Sequence, residues 1–373
     1  MELQEEKLQN EKLQKKKSHD KKRTLQEMRD ILAGYQGKTL RIMEVCGSHT
    51  AAISKNGIRG LLSPDIQLIS GPGCPVCVTP TAYVDKLVEL ALTPNTCVVT
   101  FGDMLRVPGS KYSLSEVSGM GGHARMVYSP MDILALAEAD TETTYVFAAV
   151  GFETTTPVYA LLLEEIIEKN IENVKLLTAL KTMPGVIAYL CDHGAEIDAF
   201  LAPGHVAAVT GSKLFSPLAE KYGIPFVVSG FEGEEILEAL CELVEAADDL
   251  CVDAGEPLVR NCYSSVVSEG GNTKAQALVA KYFVPCDASW RGMGLIPQTG
   301  MELRPEYAKY DAGSQDLNED NKRNKACCCD KILMGKMTPE ECPLFGKVCK
   351  PLTPQGACMV SEEGSCHSAY MVR

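Results

Sequence analysis

From residue 39 onward, short apolar runs alternate with amphipathic segments. The runs Leu40–Val45, Gln67–Ser70, Cys97–Phe101, Tyr145–Val150, Val206–Val209 and Pro225–Ser229 have strand length and predict β-strands. Between them, Ala82–Leu92, Met131–Ala139, Pro157–Lys169 and Glu234–Ala246 place apolar residues at i, i+3 and i+4, the signature of a helix with one buried face. Alternation of the two predicts βαβ units and mostly parallel sheets. Leu25, Met28, Ile31 and Leu32 keep helical spacing, so docked structure is expected to begin there. Upstream, Leu3, Leu8 and Leu13 recur every five residues amid charge, a spacing that suits no steady stripe and reads as a solvated extension.

One internal echo stands out. Tyr145–Val150 runs into Gly151-Phe152-Glu153 and a helix, and Pro225–Ser229 runs into Gly230-Phe231-Glu232 and a helix. The shared strand–turn–helix setting suggests two similar α/β halves. The expected fold is therefore two similar α/β domains with mostly parallel sheets facing a cleft, followed by a small C-terminal module. The expected division is a charged extension over 1–24, α/β domains over 25–135 and 136–255 with boundaries open to discontinuity, and a C-terminal region over 256–373. Segment 304–326 is polar and reads as a linker or surface excursion.

Length and charge narrow the class. At 373 residues the chain exceeds one ordinary core, and 45% hydrophobic residues suffice for packed interiors. A net charge of -13, without a basic stripe interleaved with aromatics, argues against nucleic acid. The charged N-terminus lacks the apolar core of a signal peptide or membrane span, so a cytoplasmic location without membrane contact is expected.

Cysteines carry most of the chemistry. Seven of the sixteen lie between residues 327 and 366. The cytosol keeps ordinary thiols reduced, so such density points to metal rather than disulfides. The spacing Cys327-x14-Cys342-x6-Cys349-x16-Cys366 supplies four thiolates, the number a [4Fe–4S] cluster takes. Zinc is the rival, although its four-thiolate sites usually come as CxxC pairs, which the tail lacks. Cys328, Cys329 and Cys358 would then be spare, and which of the consecutive trio ligates stays open.

Three further motifs follow or border apolar runs. Gly71-Pro72-Gly73-Cys74-Pro75-Val76-Cys77 contains a CxxC able to cycle between dithiol and disulfide; the other reading is half a zinc knuckle whose second pair cannot be found. Met43-Glu44-Val45-Cys46-Gly47-Ser48-His49 ends a strand with a thiol–imidazole pair, which could hold iron or serve as nucleophile and base, or be a buried Cys with a capping His. Gly151-Phe152-Glu153-Thr154-Thr155-Thr156-Pro157 reads as a Thr N-cap with proline at the first helical position, and its backbone N–H groups and hydroxyls could also hold a small polar or anionic ligand; Glu153 joins His49 and His205 as a candidate catalytic residue. Pro203-Gly204-His205 offers a second histidine, structural or functional. There is no GxxxxGK[ST] loop and no GxSxG elbow, so nucleotide and serine hydrolases lack support.

Taken together, MEVCGSHT, GPGCPVCVTP, TFGDMLRVPGS, GFETTTP, PGHVAAVTG, WRGMGLIP and the tail ECPLFGKVCKP through GACMVSEEGSC resemble the HypD family, scaffolds of [NiFe]-hydrogenase maturation. The likeness runs from about residue 25 to the end. It implies a maturation scaffold with redox activity rather than a conventional turnover enzyme. Such a scaffold holds one iron, together with a HypC-type chaperone, while two cyanides from a HypE-type donor and one carbon monoxide are attached. By motif, it implies that Cys46 holds the iron with His49 beside it, that Cys74 and Cys77 are the redox pair, and that Cys327, Cys342, Cys349 and Cys366 bind the cluster. The family usually reads Cys-Gly-x-His-x-His, whereas Ala51 stands here in place of the second histidine, which leaves His49, aided by His205. The rival reading is an iron–sulfur-dependent disulfide oxidoreductase acting on an external substrate.

Overall fold

The computed structural model describes residues 23–249 and 258–373. The charged extension expected over residues 1–24 lies outside them except for its last two residues. The first described helix lies where helical spacing predicts it. The helix Leu25–Gly34 opens with a capping box, in which Thr24 Oγ1 accepts from Glu27 N while Thr24 N donates to Glu27 Oε2. Met28 and Leu32 are its buried residues.

Among the described residues the strands are β1 (Leu40–Glu44), β2 (Ile66–Ser70), β3 (Thr96–Thr100), β4 (Ala124–Met126), β5 (Thr144–Gly151), β6 (Val174–Lys181), β7 (Ala199–Pro203), β8 (Phe226–Ser229), β9 (Val259–Asn261), β10 (Phe283–Trp290) and β11 (Gly294–Leu303). One sheet has the order β2-β1-β7-β8-β9 and is parallel throughout. The other has the order β10-β11-β6-β5-β3-β4, parallel from β6 to β4 and antiparallel at the β10–β11 hairpin. Strands such as β5 and β7 are almost wholly buried, as parallel strands covered on both faces must be. Phe147, Phe200, Phe226 and Trp290 are among the largest fully buried side chains. Each contributes about 1.5–3 kcal/mol by removal from water.

Two α/β sheets are thus present, but neither is a contiguous stretch of chain. β1 and β2 share one sheet with β7 and β8, while β3 and β4 share the other with β5 and β6, so residues 25–135 and 136–255 each supply strands to both sheets. Apolar periodicity marks a strand without saying which sheet receives it. The helices expected from periodicity appear as Thr81–Leu92, Asp132–Ala139, Thr156–Glu168 and Gly233–Asp249.

Several expectations are corrected. Val206–Val209 is not a strand: it lies in the helix Gly204–Thr210, and the strand is the preceding β7. Pro203 and Gly204 end the extended run, and Val206 and Ala207 face the core from the helix. β6, the helix Met183–Asp192 and the β10–β11 hairpin were not anticipated. Segment 304–326, expected as a linker or surface excursion, is a strap docked along the surface. Ala82 N donates to Glu319 O at 2.9 Å, and Gly292 N donates to Asp320 Oδ2 at 2.9 Å. Its polar residues satisfy neighbouring backbone groups.

Candidate functional site

The motifs collect at the C-terminal ends of strands, where parallel sheets gather ligands. The end of β1 leads to Cys46, that of β2 to the CxxC loop, that of β5 to Gly151–Pro157, that of β7 to His205 and that of β8 to Phe231. The two echoed Gly-Phe-Glu turns close corresponding strands in different sheets.

Cys46 is the N-cap of the helix Gly47–Lys55 and is buried. Below it the fully buried Glu44 accepts from Thr50 Oγ1 at 2.5 Å and from Cys46 N at 3.4 Å. Burial pushes the Cys46 thiol up to about 12; the Glu363 and Glu44 charges push the same way, while the amides of His49 and Ser48 oppose them. A bound cation would reverse that balance, because a metal ligates the thiolate and releases the proton.

His49 does not sit beside Cys46 as an uncommitted base. Its Nε2 is 2.9 Å from Gly230 O, which can only accept, so Nε2 carries the proton and Nδ1 is a lone pair. Nδ1 is buried without a partner. Burial lowers the ring to about 4 and keeps it neutral. Phe231 stacks on His49 at 4.7 Å and on His205 at 3.8 Å. His205 thus belongs to the same aromatic column, with its ring open to solvent and its pKa lowered by partial burial. Ala51 is half-buried on the Cys46 helix.

The CxxC loop is fastened to the Cys46 loop through backbone. Gly71 N donates to Glu44 O at 2.8 Å and Gly47 N to Gly73 O at 3.0 Å. A Cβ on Gly73 would lie 2.2 Å from Cys46 N and 2.5 Å from its Cα, so only glycine permits the approach. Cys74 caps the short helix Pro75–Val78 and is disulfide-bonded to Cys77, with their Cα atoms 5.2 Å apart. Both are buried in one apolar cluster with Phe152, Trp290 and the tail cysteines, and Cys77 Sγ lies 4.0 Å from Ala357 O.

In the tail, Cys327, Cys329, Cys342, Cys349, Cys358 and Cys366 are all buried, and Cys328 is half-buried. Cys327 Sγ is 3.4 Å from Cys329 Sγ. Cys358 interacts with the thiols of Cys329 and Cys366, and Cys328 with that of Cys342. Depth therefore does not separate the four expected ligands from the expected spares. A Cβ on Gly356 would fall 2.6 Å from Cys329 Sγ and 2.7 Å from Cys327 Sγ, so this glycine forms a bare wall against the sulfurs. Among the described residues no three His, Cys, Asp or Glu side chains are placed to hold a metal ion. The donor set is nonetheless all sulfur and largely buried, a chemistry that suits the soft ligation of an iron–sulfur cluster. The tail also reaches Cys46: Ser48 Oγ donates to Glu363 Oε1 at 2.6 Å, and a Cβ on Gly47 would strike Glu363.

The Gly151–Pro157 loop differs from its expected form. The helix starts at Thr156, Pro157 occupies its second position, and Thr155 makes no side-chain cap bond. Thr156 Oγ1 instead donates to Phe152 O at 2.9 Å. Glu153 Oε1 accepts from Met183 N at 2.7 Å, at the start of the helix Met183–Asp192, while Oε2 is buried without a partner. Burial raises this carboxyl to about 7. Glu44, Phe231 and Glu363 received no role from the sequence, although each lies within a motif quoted from it.

A model of the HypD family, described as the hydrogenase formation hypA family, matches residues 20–373. The chain belongs to the HypD family. It is 40% identical over 357 residues to the hydrogenase maturation factor HypD of Escherichia coli K12, covering 94% of this chain and 93% of that one. The HypD proteins of Rhizobium leguminosarum bv. viciae and Azotobacter vinelandii are each 40% identical, covering 89% and 88% of both chains respectively. Membership places the chain among hydrogenase maturation factors. No helix among the described residues is long and apolar enough to cross a membrane.

Proposed function

We propose that the chain is the scaffold and redox protein on which the Fe(CN)2CO unit of [NiFe]-hydrogenase is assembled. Cys46 supplies one soft bond to the iron, which is cargo, and a HypC-type chaperone supplies another while cyanide from a HypE-type donor and carbon monoxide are added. The observation that carries this reading is contiguity. The Cys46 loop touches the Cys74–Cys77 loop at Gly73 and the tail at Glu363, and Cys77 touches the tail at Ala357.

A [4Fe–4S] cluster held by Cys327, Cys342, Cys349 and Cys366 would supply single electrons when bound. The chain's own residues do the rest. Cys74 and Cys77 exchange dithiol for disulfide between the tail and Cys46, Glu44 and Thr50 fix the Cys46 turn, and His49 with Phe231 closes its flank. The test is infrared spectroscopy of the anaerobic complex with the HypC-type partner. Cys46→Ala is expected to lose the CN and CO bands while keeping the tail chromophore; bands retained in Cys46→Ala would move the iron elsewhere.

A further inference from the structure

The motif WRGMGLIP, residues 290–297, has no part in the reading above, yet its arginine is unusually placed. Arg291 is 4% exposed. Its backbone N donates to Val78 O at 2.8 Å, one residue beyond Cys77. Its side chain lines a small cavity together with Cys327, Cys329, Gly356 and Lys322. Nη1 lies 3.4 Å from Asp320 Oδ1, but Nε and Nη2 are buried without any hydrogen-bond partner. Buried N–H donors without acceptors are costly, and a deep cation with half its fork idle calls for something anionic to complete it. Asp320 does not do so, because its Oδ2 is taken by Gly292 N. Two cysteines, Cys327 and Cys329, share that cavity with Arg291, and their sulfurs lie against Gly356 on its wall.

We propose that Arg291 is the charge and hydrogen-bond partner of the tail's iron–sulfur centre, with Nε and Nη2 donating to its sulfur atoms. The inference rests on the reading that the tail carries a [4Fe–4S] cluster. Hydrogen bonds to sulfur and nearby positive charge stabilise the more negative, reduced form, so Arg291 raises the reduction potential. Arginine suits the task because its fork is planar and permanently charged.

The test uses the full chain, anaerobically reconstituted, as wild type, Arg291→Lys and Arg291→Met. Iron and sulfide are counted per chain and the one-electron couple is titrated by electron paramagnetic resonance. Arg291→Met is expected to lower the reduced-to-oxidised ratio at fixed potential at least tenfold, a shift of about 59 mV. Arg291→Lys, which keeps the charge and loses the fork, falls between. In wild type grown on arginine enriched in heavy nitrogen, the reduced cluster is expected to show a nitrogen coupling that Arg291→Lys abolishes. Should Arg291→Met fail to fold, that coupling decides alone. An unchanged potential in Arg291→Met at full iron content, or no arginine coupling in wild type, overturns the inference and leaves the cluster reading standing. Wild type without iron and sulfide overturns the cluster reading, and this inference with it.

Discussion

Replacing Gly73 by alanine tests whether the redox loop and the Cys46 loop form one unit. The added Cβ would sit 2.2 Å from Cys46 N, 2.5 Å from Cys46 Cα and 2.5 Å from Val45 C. All three are backbone atoms, so no side chain can swing aside. Ordinary contact begins at 3.4 Å, so the two loops must separate by at least about 1.2 Å, the difference between 3.4 and 2.2 Å. That separation strains the bonds Gly47 N to Gly73 O and Gly71 N to Glu44 O, each worth about 0.5–1.5 kcal/mol net. Overpacking adds about 1–3 kcal/mol, so a loss of roughly 2–6 kcal/mol is expected. Trp290, the one tryptophan, is buried and stacked on Phe152, and its fluorescence during urea unfolding reports the loss. Gly34→Ala is the control: its Cβ meets nothing within 4 Å, and stability should hold or rise slightly. Gly73→Ala should also abolish hydrogenase maturation. Stability within about 0.5 kcal/mol of wild type, with maturation intact, would refute the reasoning.

Cys342→Ala and Cys349→Ala should each bleach the brown chromophore of anaerobically purified protein; full iron and sulfide in both variants would exclude these residues as ligands. Cys74→Ser or Cys77→Ser should stop maturation with the tail chromophore unchanged, and full maturation by both would remove the redox role. Glu153 yields a pH signature. Burial raises its carboxyl from 4.5 to about 7, so the folded chain holds a proton that the unfolded chain gives up across that window. The carboxyl therefore costs nothing below about pH 4.5 and its full penalty, of order 3 kcal/mol, above about pH 7. Glu153→Gln can still accept from Met183 N through its amide oxygen. It should match wild type near about pH 4 and exceed it near about pH 8 in denaturant melts; an advantage independent of pH would contradict the assignment.

The parts of the site differ in how far they could be read in advance. The Cys46, Cys74 and Cys77 motifs sit at strand ends as the apolar runs predict, because a run that stops at a glycine- or cysteine-rich turn announces its own end. The helix around His205 misled because Val206–Val209 has the composition of a strand, and only the packing of Val206 and Ala207 shows otherwise. His49 carries its chemistry visibly in the letter, yet Gly230 O, far away in the chain, determines which ring nitrogen is free.

Donor identity, turn chemistry and helix periodicity are local properties, so the sequence by itself determined that this chain is α/β, that ten of its sixteen cysteines fall in three motifs, and which family they resemble. Tertiary structure decided how those groups meet. The chain weaves between two sheets, bringing Gly73 against Cys46, Glu363 against Gly47 and Arg291 into the tail's thiol cavity. No periodicity encodes such contacts, because each depends on which distant segment fills the space beside it, and that is set by packing the whole core at once.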